Sequence, residues 1–406
     1  MPCAGTTSSR QLNRQCWRNS RRRGCSVYRL PRPCAGEQGS VFFQRPKNPA
    51  DGWGERPRVQ RHFSNILVVR TDRLGDVLLT LPVFAALMRL FPDARRSFLL
   101  QSYTADLIEG HPLVDEVIRF DGGASSGLRE KLKRHEFDCA VIAHATWTIA
   151  WSLFLSRIPV RVGTGYRPYS FLFTHRRYEH RHTAERHESE YCVNLLRTLG
   201  LDTPPVEGVP IPVSGETLRE VAAAVSKAGL SMEGPLVVLH PGSGGSAWAW
   251  PVGRFAELGR LLIARGASVA LTGSKPETEA AGRCAQDIGS PAVSLAGLFT
   301  LKQLAAFFKM AGAVVANSTG PLHLAASVGT PVIGLYPDIP PMTPRRWGPL
   351  TETKRIFAPA HAAGRSPRER MMGISAREVC EAACGFLEVA HAGSVRPFDD
   401  RDMGEQ

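Results

Sequence analysis

The sequence predicts an α/β fold, and three observations predict it. Short aliphatic runs such as Leu236, Val237, Val238 and Leu239 have the character of strands buried on both faces of a parallel sheet. Helical patterns follow these runs, as Phe255, Leu258, Leu261 and Leu262 do, so strand and helix alternate. A break marked by Pro204, Pro205, Gly208, Pro210 and Pro212 divides the alternation into two series. A chain of 406 residues is long enough for two cores.

Residues 1–63 show no periodicity and predict a disordered basic extension. They hold twelve Arg and one Lys against Glu37, Asp51 and Glu55, a surplus of ten, so the rest of the chain carries only +3 of the total +13. The near-neutral body argues against a nucleic-acid partner. Three readings of the extension are open: a basic arm for anionic lipid or nucleic acid, a targeting peptide, or a start site assigned too far upstream. The last, or a dispensable tail, is the reading taken. No apolar run is long enough to span a bilayer, and none has the length of a secretory signal's apolar region. The nine cysteines form no CxxC pair, so a zinc site is disfavoured and a reducing cytosol fits.

The first series predicts strands at 66–69, 97–100, 116–120, 139–143 and 160–162. Between them lie helices at 77–90, 105–109, 128–135 and 148–156, with Thr80 expected to cap the helix that Pro82 opens. Residues 70–76 read as a loop. Residues 163–187 break the rhythm with Arg167, His175, Arg176, Arg177, His180, Arg181, His182, Arg186 and His187. That stretch is either a solvated basic loop or an anion-recognition loop, and no convincing third metal ligand accompanies its histidines. A helix over 188–199 ends at Gly200. The second series predicts helices at 218–228, 252–265, 276–288, 301–310 and 321–328. Its strands fall at 236–240, 268–272, 292–295, 313–316 and 332–335. The whole reads as two Rossmann-like domains facing across a cleft, 64–205 and 206–390, with a tail at 391–406.

Three loops at strand carboxyl ends carry the chemistry, because ligands of such sheets bind there. Residues 70–76 read Arg-Thr-Asp-Arg-Leu-Gly-Asp. Gly242, Ser243, Gly244, Gly245 and Ser246 form a turn whose backbone N–H groups suit a phosphate, with an ordinary flexible loop as the alternative. This turn fits neither GxGxxG nor GxxxxGK[ST], which disfavours a dinucleotide fold and a P-loop ATPase. Asn317, Ser318, Thr319, Gly320, Pro321, Leu322 and His323 open a helix whose positive end suits a diphosphate. Ser318 and Thr319 could instead be simple caps, and His323 a satisfied structural histidine.

These loops, in this order, are where the sequence resembles the heptosyltransferases of glycosyltransferase family 9. The matching segments are RTDRLGDVLLTLP (70–82), HPGSGGSAWAWP (240–251), LTGS (271–274) and NSTGPLHLAASVGTPVIGLY (317–336). The resemblance implies a two-domain GT-B fold and inverting, metal-independent transfer of a sugar, with no cofactor. The best-known members move a heptose from ADP onto the lipopolysaccharide inner core. Carried over, Asp76 falls on the general base, with capping of a helix or turn as its plain alternative, and Gly75 would allow close substrate approach. Gly242 to Ser246, Ser274 and the 317–320 segment with His323 would bind the donor. Arg73, Gly75, Arg161, Arg167 and His187 would serve the acceptor. Where members carry Lys or Arg this chain has Trp248, and where many carry Asp it has Asn317. The missing cation would then come from Arg345, Arg346 or Lys275.

The expected protein is thus a glycosyltransferase that takes a nucleotide-sugar donor, an ADP-sugar first, and a lipid-linked saccharide acceptor. It would work in the cytoplasm, with peripheral contact to the inner membrane and no nucleic acid. The rivals are a GT-B enzyme using another nucleotide sugar, a sugar-nucleotide hydrolase or epimerase, and a catalytically silent nucleotide-sugar-binding protein.

Overall fold

The computed structural model describes residues 62–232, 234–244, 248–359 and 364–393, with side chains as far as 388. The described residues form one compact unit. Most of the expected extension and tail therefore lies outside the described residues, as do Gly245 and Ser246. At the boundary, Phe63 is not part of an extension. It is 4% exposed and meets Phe91 edge-on at 5.2 Å, so it belongs to the folded body. The last helix also runs past residue 390, to Gly393.

In chain order the first half comprises β1 (Asn65–Val69), α1 (Leu74–Leu78), α2 (Leu81–Leu90), β2 (Arg95–Leu100), α3 (Ser102–Ile108), β3 (Glu116–Arg119), α4 (Ser125–Lys133), β4 (Cys139–Ile142), α5 (Trp147–Leu155), β5 (Val160–Thr164), β6 (His175–Arg177) and α6 (Glu188–Val193). The second comprises α7 (Gly215–Lys227), β7 (Leu236–His240), α8 (Val252–Ile263), β8 (Ser268–Leu271), α9 (Thr278–Ile288), β9 (Val293–Ser294), α10 (Leu301–Lys309), β10 (Ala313–Asn317), α11 (Gly320–Ser327), β11 (Val332–Leu335), α12 (Pro344–Trp347), β12 (Lys354–Phe357), α13 (Pro367–Met371) and α14 (Ala376–Gly393).

Each half holds a six-stranded sheet, ordered β3-β2-β1-β4-β5-β6 and β12-β11-β10-β7-β8-β9. The registered strand pairs are all parallel. Helices cover both faces, which is why β7 and β10 are buried throughout and read as unbroken apolar runs. Strand order reverses between β1 and β4 in one sheet and between β7 and β10 in the other. A crevice opens at such a switch point. The loops after β1, β7 and β10 are the three singled out in the sequence.

Within the body the structure also departs from the sequence expectations. Residues 70–76 are not all loop, because α1 begins at Leu74 and takes in Asp76. Thr80 occupies the cap position of α2, but its hydroxyl donates to the Asp76 carbonyl at 2.8 Å instead of capping. The basic stretch contains β6, an edge strand of His and Arg without apolar alternation. Beyond β11 the chain adds α12, β12, α13 and α14, and α14 packs against α8.

Candidate active site

Arg70 ends β1 with its side chain only 4% exposed, and its guanidinium organises the loop. Nε donates to Asp72 at 2.8 Å, Nη1 to Glu188 at 3.1 Å, and Nη2 to Oδ1 of Asp76. Asp76 lies in the first turn of α1 with its side chain 16% exposed. Burial pushes its carboxyl up to about 6; Arg70 opposes the rise, while Asp72 and Glu188 add to it. An acid in that range can take a proton near neutral pH and hold it.

Two glycines bring Asp76 to the second half. A Cβ on Gly75 would lie 2.9 Å from Cδ2 of His323 and 3.4 Å from Cα of Gly320. A Cβ on Gly320 would lie 2.9 Å from Cβ of Leu74 and 3.2 Å from the Gly75 nitrogen. Gly75 therefore makes room for helix α11, and it also lines the pocket formed at this crossing. A pocket of about 200 Å³ at this crossing is lined by Arg73, Asp76, Ser318, Thr319, His323 and Arg346.

The loop after β10 is built differently from a simple pair of caps. Thr319 donates its hydroxyl to the Asn317 carbonyl at 3.1 Å, and the Ser318 hydroxyl pairs with Tyr336. Neither side chain caps α11, where Pro321 carries no N–H and the Leu322 N–H donates to the Thr319 carbonyl at 3.1 Å. Asn317 is fully buried and does not reach the pocket. Its Oδ1 accepts from the Trp250 N–H at 2.8 Å and its Nδ2 donates to the Pro241 carbonyl at 2.9 Å. An amide can serve both partners, whereas a carboxylate could serve only the first. His323 is buried and neutral, its imidazole lowered to about 3 by burial, with His187 adding to the effect. Its Nδ1 has no hydrogen-bond partner among the described residues.

Behind the glycine-rich turn lies a cavity of about 650 Å³, lined by Gly242, Ser243, Trp248, Thr272 and Glu277. Ser274 faces Glu277: its N–H and hydroxyl both donate to Oε2, at 2.8 and 2.7 Å. Glu277, not anticipated from sequence, so closely abuts Gly242 that any Cβ there would collide with its carboxylate. Burial acts to raise this carboxyl, but the Ser274 bonds and His240 hold it below the usual range. Trp248, the position at which the resemblance leads one to expect a cation, lines this cavity and is 46% exposed.

On the other side of Asp76 a cleft of about 580 Å³ is lined by Arg70, His144, Tyr166, Arg167, Arg181 and Glu188. Part of the basic stretch thus folds over the cleft. Arg161 does not: its guanidinium donates to the carbonyls of Leu172, at 2.8 Å, and Ile158, and lies over the Phe154 ring. His187 caps α6 by accepting from the Ser189 N–H at 3.3 Å, and its Nε2 bonds the Gly348 carbonyl at 2.8 Å. Its ring thus joins the two halves. Arg73, at the pocket, and Arg167, at the cleft, are exposed.

Glu188 is the second residue missed from sequence, although it adjoins His187. Its side chain is 1% exposed and meets three arginines: Arg70, Arg181 at 2.8 Å and Arg346 at 2.9 Å. Arg346 also donates to the Arg181 carbonyl at 2.9 Å and stacks on Trp347. It supplies a cation at the pocket; of the three residues considered for that part, only Arg346 lines it.

Residues 126–371 match the profile of glycosyltransferase family 9 (heptosyltransferase). A Haemophilus influenzae protein provisionally named a glycosyltransferase is 31% identical over 328 residues, covering 77% of this chain and 94% of that one. Lipopolysaccharide heptosyltransferase 2 of Salmonella typhimurium is 26% identical over 313 residues, 72% of this chain and 87% of that one. The solved structure of E. coli ADP-heptose lipopolysaccharide heptosyltransferase II superimposes with a TM-score of 0.70 at 24% identity, covering 80% of this chain and 99% of that one. The doubly wound halves are those of the GT-B fold, and the chain belongs to glycosyltransferase family 9, the heptosyltransferases.

Proposed function

We propose that this enzyme transfers a heptose from ADP-heptose, with inversion and without a metal, onto a lipopolysaccharide-core or similar lipid-linked saccharide at the cytosolic face of the inner membrane. The observation that carries the proposal is the position of Asp76, between the arginine-lined cleft and the amino end of α11. Oδ1 is held by Arg70, which leaves Oδ2 for an acceptor hydroxyl. As that oxygen attacks C1 of the donor sugar, its proton passes to Asp76 and the bond from C1 to the diphosphate breaks on the opposite face. The departing charge meets the positive end of α11 and the guanidinium of Arg346. Glu277 can accept hydrogen bonds from ribose hydroxyls in the cavity behind Gly242. Arg167 and Arg181 suit phosphate or carboxylate groups on the acceptor. The donor thus belongs to the second half and the acceptor to the first.

Asp76→Asn tests the assignment. Turnover should fall roughly 10²–10⁴-fold, the usual range for a lost general base. The rise in melting temperature on adding ADP should persist, with or without EDTA. Turnover near wild type would remove Asp76 as the base; a shift with a different nucleotide would keep the mechanism and change the donor. Exposed Trp248, in place of a cation, favours a second reading in which the nucleotide sugar is bound but not transferred. Any measurable turnover excludes it.

A further inference from the structure

Helix α5 turns an unusual face outward. Trp147 is 53% exposed and Phe154 42%, and Phe171 in the turn beside them is 60% exposed. They form one connected surface. Trp147 stacks on Trp151 at 6.2 Å and lies 6.4 Å from Phe171, while Trp151 stacks on Phe154 at 5.7 Å. Single exposed apolar residues are ordinary, but a contiguous aromatic patch on a folded surface marks an interaction site.

Its charge says what covers it. The sequence has no Asp or Glu between Asp138 and Glu179, yet that interval holds Arg157, Arg161, Arg167, Arg176 and Arg177. Arg157 follows α5 directly and is exposed. Arg161 lies over the Phe154 ring at 5.6 Å, and Arg176 donates to the Phe171 carbonyl at 3.4 Å. Aromatic rings ringed by arginine fit the boundary of an anionic bilayer, where rings enter the headgroup layer and guanidiniums meet lipid phosphates. An apolar protein partner would not require the arginines, and an acidic one would not require the rings.

The patch also borders the acceptor cleft. Tyr169 packs edge-on against Trp147 and donates its hydroxyl to the carbonyl of Ala145, a cleft residue. We infer that the surface of Trp147, Trp151, Phe154 and Phe171, with Arg157 and Arg176, docks the protein on an anionic membrane and holds the cleft beside its lipid-linked acceptor. This rests on the lipid-linked acceptor proposed above and adds where the membrane is met.

The test is cosedimentation of the full chain with phosphatidylcholine vesicles, with and without phosphatidylglycerol. Salt is raised to screen attraction from the arginine-rich amino-terminal residues. The triple variant Trp147→Ser, Phe154→Ser, Phe171→Ser should lower partitioning onto anionic vesicles by roughly tenfold or more. Arg157→Gln with Arg176→Gln should lower it at the same salt by up to roughly fivefold per charge, and this pair keeps the test usable if the triple variant melts early. Transfer to a deacylated, water-soluble acceptor should be unchanged in both. Wild-type partitioning by the variants, or no vesicle binding by the wild type, overturns the assignment. So does a wild-type dimer that the triple variant dissociates, because a second copy would then cover the patch. If no protein transfers to the soluble acceptor while the vesicle difference persists, the transferase reading fails and the docking surface stands.

Discussion

Glu188→Gln removes one charge and almost no volume from the centre of the site. Arg70, Arg181 and Arg346 there face Glu188, Asp76 and Asp72, so three positive charges balance three negative ones. The substitution leaves one positive charge uncompensated among side chains that are 4, 23 and 13% exposed. Breaking a buried ion pair from one side costs about 3–5 kcal/mol, and the partial exposure of Arg181 points to the lower end. The assay is urea unfolding at neutral pH, read as a lower midpoint at constant slope. Burial acts to raise the Glu188 carboxyl, but Arg181, Arg70 and Arg346 hold it below its ordinary 4.5. The stabilisation is therefore complete above about 4.5 and lost as pH falls through the depressed value, so the gap between variant and wild type should narrow in acid. Adding Arg346→Gln restores neutrality, and the double variant should lose less than the sum of the singles. A loss under about 1 kcal/mol for Glu188→Gln would refute the reasoning, because exposed pairs contribute only that much.

Asp76 has its carboxyl raised to about 6, so the proposed base is progressively protonated as pH falls below that value. The rate should drop along an acid limb near pH 6, and Glu188→Gln should move the limb lower by removing a neighbouring negative charge; an unmoved limb counts against the coupling. Gly75→Ala and Gly320→Ala should each cost about 1–3 kcal/mol by overpacking the crossing of α1 and α11, with turnover falling more than ADP binding. Stability measured by urea unfolding, together with steady-state kinetics, checks both. Asn317→Asp loses donation to the Pro241 carbonyl and should cost about 1–3 kcal/mol in the same unfolding assay. An unchanged midpoint would mean that the amide donor is not needed there.

What the sequence revealed depended on how local each cause is. Strands β7 and β11 fall on 236–240 and 332–335 as expected, because an unbroken apolar run states its own burial. Strand β6 was hidden because His175, Arg176 and Arg177 sit at a sheet edge and need no apolar alternation. The three loops were legible because glycine, hydroxyls and a strand end coincide in one short segment. The duties of single residues were less so. Gly75 answers to Gly320, Ser274 to Glu277, and Asn317 to Pro241 and Trp250, and most of these partners lie far along the chain. Glu188 looked like any acid in the first turn of a helix until three distant arginines converged on it.

The meeting of Gly75 with Gly320 divides evolutionary freedom unevenly. On the proposed assignment, the cavity behind Gly242 can drift toward another nucleotide while the arginine-lined cleft stays as it is, and the cleft can adapt to a new saccharide in the same way. The seam at the two glycines, together with Glu188–Arg346 and His187–Gly348, touches both inheritances. Substitutions there must arrive in compatible pairs. Family relatives that differ in donor and acceptor should therefore differ least, or change jointly, along that seam.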